Sequence, residues 1–165
     1  MANKDNFSAD VWAKVSSLPM NVVIAAATAE TDGRDVSNRE VLAGMSQLAL
    51  AEKTHANNEL IQAVLADLKV QEAEGKVEHD VEMTAEEARA FTQQTLSDCG
   101  EAVMAISKVA GEEEAAEFAG WIHDIAEQTV EAAKSGGFLG IGGDEVSQSE
   151  RSFITQLERQ LDDMY

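Results

Sequence analysis

The sequence predicts an all-α protein, about seven helices in a single pseudo-symmetric bundle. Three observations lead there. Apolar residues recur at the three- and four-residue spacing of a helix face, and no segment alternates well enough to be a strand. Only 5% of the 165 residues are aromatic while alanine is abundant, which favours small aliphatic contacts between closely approaching helices. Finally, Gly33-Arg34-Asp35-Val36-Ser37-Asn38-Arg39-Glu40 returns as Gly143-Asp144-Glu145-Val146-Ser147-Gln148-Ser149-Glu150. Each copy reads glycine, any residue, acid, Val-Ser, two residues, Glu, with an alanine-rich helix before it and an amphipathic helix after it. A chain of this length with 44% apolar residues is one domain with a real core, its halves at about 1–74 and 83–165.

Ser8 caps a short first helix through about Ser17, with Val11, Trp12, Val15 and Leu18 toward the core. Pro19 fits the first turn of a second helix, which runs to about Glu30 and is nearly all apolar, the mark of a central helix. Ser37 and Glu40 make an S-x-x-E capping box, so a third helix starts there and carries Val41, Leu42, Met45, Leu48 and Leu50 to about Lys53. Asn57 and Asn58 cap a fourth helix with Leu60, Ile61, Val64, Leu65 and Leu68 on one face. The acidic stretch from Glu72 to Glu82 is an exposed connector between the halves. Thr84 and Glu87 form another capping box, opening a fifth helix through Phe91, Leu96, Cys99, Val103, Ile106 and Val109 that Gly111 closes. Glu112 to Glu114 suit the first turn of a sixth helix burying Phe118, Trp121, Ile122, Ile125 and Val130. The last helix runs from Ser147 to about Asp163 with Phe153, Ile154, Leu157 and Leu161 inward.

Thirty-one acidic against twelve basic residues give a formal charge of -19. Nucleic acid and anionic membrane surfaces are therefore poor partners, while a cation or a basic protein surface is a good one. The same excess also serves solubility alone. Cys99 is the one cysteine, so there is no intrachain disulfide and no thiolate cluster, which fits a reducing, cytoplasmic setting. The stretch from Val22 to Ala29, extended by Pro19 and Met20, is the longest apolar one and falls short of the roughly 20 residues a bilayer span needs. The first residues, Met1 to Asn6, hold neither an apolar core nor a cleavage site, so the expectation is a protein that is not exported.

Asp32, Asp35 and Glu40 in one corner, and Asp144, Glu145 and Glu150 in the other, bring carboxylates to a loop-helix junction, where a hard divalent cation finds oxygen ligands. Acids at a helix start are equally favoured by unsatisfied N–H groups and the helix dipole, with no metal needed. The spacing is not that of the helix-loop-helix calcium site.

The run from Val22 through Asp32-Gly33 to Asp35, Ser37 and Glu40 resembles the signature of tellurite-resistance TerB-like domains. These have an alanine-rich helix, then Asp-Gly, a small polar residue and a glutamate, then an apolar helix. The resemblance implies an all-helical fold of two similar halves and a place in bacterial stress and metal-ion resistance systems. It also implies ligation of a divalent ion (Ca, Mg, Mn or Zn) by Asp32, Asp35 and Glu40, with Glu150 and Asp144 or Glu145 contributing. The second corner departs from the pattern, having Gly142-Gly143 in place of Asp-Gly. Its Phe-Leu-Gly-Ile loop also resembles the C-terminal end of a group of small uncharacterised bacterial helical proteins, which carries no function with it.

The glycine-rich loop from Gly136 to Gly143 follows a helix and meets Asp144 and Glu145, so it is no phosphate cradle. Its Phe138, Leu139 and Ile141 either seal the core or dock a partner protein. Glu52-x-x-His55 is half of a carboxylate-bridged di-iron motif, and no second Glu-x-x-His follows. His79 reads as solvent-exposed and His123 as a helix-surface histidine. Cys99 reads as a small buried hydrophobe and the methionines Met20, Met45, Met83 and Met104 as core residues. The expectation is a non-enzymatic domain of TerB-like type that binds a cation or a partner at its acidic corners. The alternative is a metal-free interaction or scaffold module.

Overall fold

A computed structural model of the chain describes residues 2–29, 38–76, 82–134 and 147–162. These form six α-helices and no strand: α1 Ala9–Thr28, α2 Asn38–Thr54, α3 Glu59–Ala73, α4 Ala85–Ala110, α5 Glu112–Lys134 and α6 Gln148–Asp162, preceded by a short 3-10 turn, Lys4–Asn6. The all-α class expected from the sequence is the observed one.

The count differs because the two expected N-terminal helices are one. Ser8 caps α1 by accepting the Val11 N–H at 3.4 Å, and the helix then runs through Pro19. An interior proline costs about 3 kcal/mol through its missing N–H and its clash with the preceding turn. Here Leu18, Val22 and Val23 on either side of it have no solvent exposure. Burying a side chain of that kind is worth roughly 1.5–3 kcal/mol, so three of them outweigh the proline. The merged helix is long and apolar enough to cross a membrane by length and composition, contrary to the expectation for this segment. Within the fold 72% of that stretch is buried by protein, as befits the central helix of a bundle.

Around α1 pack α2, α3, α4 and α5, while α6 lies on α4 and α5. Their inward faces build one continuous core containing Trp12, Leu60, Cys99, Phe118, Ile125 and Leu157. At Gly44 the helices approach closely. A Cβ there would stand 2.6 Å from both Val23 methyls and 2.8 Å from Thr129 Oγ1, so α1, α2 and α5 meet where only a hydrogen fits. The turn between α4 and α5 is the single residue Gly111, at φ 97° and ψ 168°, a conformation that only glycine adopts without strain. Its N–H bonds the Ser107 carbonyl at 2.9 Å and its carbonyl accepts the Ala115 N–H at 3.2 Å, so the glycine serves both helices.

Four apolar residues expected to face inward do not. Leu42 is 62% exposed, Leu50 49%, Met104 46% and Val109 45%. On α2 the buried positions are Glu40, Val41, Gly44 and Ala51, which leaves Leu42 and Leu50 on the opposite side of the cylinder.

Candidate functional site

The starts of α2 and α6 are where the sequence concentrates candidate ligands. Glu40 and Glu150 each stand third in their helix, and both are buried, at 8% and 3% exposure. Glutamate is almost never withdrawn to this degree without a partner. At α6 the partner is local. Glu150 Oε2 accepts the Ser147 N–H at 2.7 Å, and Ser147 Oγ accepts the Glu150 N–H at 3.2 Å, the reciprocal capping box that the S-x-x-E spacing predicts. The same box forms between Thr84 and Glu87, where the Thr84 backbone N–H bonds Glu87 Oε2 at 2.8 Å. That backbone bond, and then the Thr84 hydroxyl, hold the Glu87 carboxyl below the usual glutamate range. Glu87 is exposed and Glu150 is buried, so one local motif is used on the surface and inside the fold.

Both helices rest on α5. The remaining expected ligands, Asp32, Asp35, Asp144 and Glu145, lie outside the described residues, as do Ser37 and the loop residues Phe138, Leu139 and Ile141.

The histidines divide as follows. His55 sits in the turn between α2 and α3, its N–H bonded to the Ala51 carbonyl at 2.9 Å and its ring 6.3 Å from the Trp121 ring centre. Glu52 forms an ion pair with Lys69 at 2.5 Å, so the half di-iron motif is spent on packing and a surface pair. His79 is outside the described residues. His123 makes a contact that the sequence does not disclose. Its Nε2 lies 3.3 Å from Glu158 Oε1 on α6 while Nδ1 lies 3.9 Å from Glu127 on its own helix. Ligand atoms of His123, Asp124 and Glu127 come within 4.8 Å of one another. The His123–Glu127 spacing of four was readable as a helical pair, but Glu158 enters only when α6 docks on α5. His123, Asp124 and Glu158 border a cleft of about 370 Å³, and Asp124, Glu127 and Glu158 are all exposed.

Cys99 is fully buried, and burial with the neighbouring Asp98 charge pushes its thiol up to about 12. A thiol so protonated at neutral pH is no nucleophile. Trp121 Nε1 is a buried donor without a hydrogen-bond partner among the described residues, its ring set edge-on to Phe118 at 5.7 Å. Asp67 anchors the N-terminal segment. Its Oδ2 accepts from Trp12 Nε1 at 3.0 Å and its Oδ1 from Lys4 Nζ at 3.0 Å. Burial alone would raise this carboxyl, yet Lys4, Trp12 and Ser16 together hold it below the usual aspartate range.

Fold and site together define an all-α bundle in which two helix starts each bury a glutamate. Comparison with family models, with curated proteins and with solved structures finds no match to the chain.

Proposed function

We propose that the protein is a non-enzymatic, cytoplasmic helical domain that binds a divalent cation at the acidic corners leading into α2 and α6. This is the role implied by the resemblance of the Asp32-Gly33 to Glu40 corner to TerB-like domains, and it places the protein in a stress-response assembly. The observation that carries the reading is the burial of Glu40 and Glu150 at the same third helical position. A carboxylate withdrawn from water needs compensating positive charge or hydrogen bonds, and a cation held with neighbouring aspartates supplies the first. Asp32 and Asp35, which precede Glu40 in the sequence, and Asp144 and Glu145, which precede Glu150, would complete the oxygen sets.

A metal-free interaction module is the second reading, favoured by the 2.7 Å bond from the Ser147 N–H to Glu150 Oε2. A reciprocal cap of this kind satisfies a buried carboxylate with no metal. Thermal unfolding of metal-stripped protein separates the readings, with calcium, magnesium, manganese and zinc added singly to the parent and to Glu40→Gln and Glu150→Gln. Binding to the folded state alone raises Tm saturably with the ion that fits, and each glutamine variant blunts the rise. A uniform response to all four ions in every protein is charge screening and removes the metal site.

A further inference from the structure

We infer that the groove between α1, α4 and α6 binds a small organic acid, one carboxylate on an apolar body. The groove encloses about 490 Å³, within the roughly 300–1,000 Å³ of small-molecule sites. Its floor is apolar, made by Ala88, Leu96 and Phe153. Neutral amides and hydroxyls form the walls, among them Gln93 and Gln148. Gln156 Nε2 donates to Ser152 Oγ at 2.9 Å and so fixes the α6 side.

Charge selects the ligand. The chain carries 31 acidic residues, yet among the described residues none lines this groove, and the one charged lining residue described is Arg89. Carboxylates are otherwise close at hand. Lys4, Lys14, Lys69 and Lys76 each have one within 3.0 Å, and the cleft beside His123 is lined by three. Arg89 makes no ion pair or hydrogen bond among the described residues. Lys53, Lys108 and Arg159 are unpaired too, but they border neither this groove nor that cleft. A guanidinium beside an apolar floor is the pairing that recognises a carboxylate, through two parallel N–H bonds, with its hydrocarbon portion laid on the floor. The net charge of -19 opposes every negative charge a ligand brings, and one arginine answers one of them, so a monoanion is favoured over a phosphate ester. Screening over about 8 Å at physiological salt weakens the more distant carboxylates relative to Arg89 at the groove wall.

Calorimetric titration with butyrate, hexanoate, octanoate and neutral 1-hexanol tests this on the parent and on Arg89→Gln, Arg89→Lys and Ser152→Trp, each first checked for parental helicity. For the acids, affinity rises roughly threefold to fourfold with each added methylene. Hexanoate binds the parent at least tenfold more tightly than hexanol, Arg89→Gln erases that preference, Arg89→Lys keeps part of it, and Ser152→Trp blocks both ligands. The inference is overturned if no acid gives saturable heat, if hexanol binds as well as hexanoate, or if Arg89→Gln or Ser152→Trp binds hexanoate like the parent.

Discussion

Glu87 and Glu150 stand at the same helical position and make the same reciprocal bonds, but burial gives them different weight. Truncating Glu150 removes the acceptor for the Ser147 N–H in a place water does not easily reach. Glu150→Ala is therefore expected to destabilise by about 1–2 kcal/mol in urea unfolding, and Glu87→Ala by clearly less, since water replaces the exposed carboxylate. Equal losses would mean that burial adds nothing to the cap. Asp67 provides the acid-sensitive contact. Its folded carboxyl titrates below the unfolded one, so the unfolded chain takes up the proton first. The stability Asp67 confers is thus present above the ordinary aspartate range and is lost as pH falls through the lower folded value. Urea midpoints taken from pH 7 down to pH 2 should fall less steeply in Asp67→Asn than in the parent across that acid limb, with the variant already weaker at pH 7. Parallel curves would remove Asp67 from the acid response.

At the scale of the helix, caps were the most legible feature. Ser8, Asn58, Thr84 and Ser147 each accept a backbone N–H from the first turn that follows, as their side-chain chemistry predicts. Gly111 ends α4 where the sequence places the break. Such features depend on a few neighbouring residues and need no tertiary partner. Pro19 was misleading for the opposite reason, because its local penalty is visible in sequence while the burial that outweighs it depends on four surrounding helices. Leu42 and Leu50 show the same limit, since the apolar content of α2 exceeds what its core-facing side accepts. Two substitutions follow. Pro19→Ala restores a helical N–H and should raise Tm in thermal unfolding, at roughly 2–4 °C for each kcal/mol in a chain of this size. Gly111→Ala forces a Cβ onto a φ of 97° and should cost about 1–3 kcal/mol by chemical denaturation, with helicity retained. An unchanged midpoint would contradict the strain assigned to that turn.

For the whole molecule, the pattern is an acidic bundle with two local features, buried glutamates at helix starts and a groove around Arg89 that no carboxylate among the described residues lines. The acidic corners were legible as a repeated motif, and the structure adds that Glu40 and Glu150 are both withdrawn from solvent. Neither the Arg89 groove nor the His123–Glu158 contact was readable, because each joins residues from helices distant in sequence. The inertness expected of Cys99 follows from its full burial.

The most direct test of cation binding is calorimetric titration of metal-stripped protein, parent against a Glu40→Gln, Glu150→Gln double variant, with calcium, magnesium, manganese and zinc in turn. Saturable heat at a fixed stoichiometry is expected for at least one ion, with its loss in the double variant. Heats no larger than dilution for every ion, or identical binding by both proteins, would contradict cation binding at these corners and leave the two glutamates as helix caps.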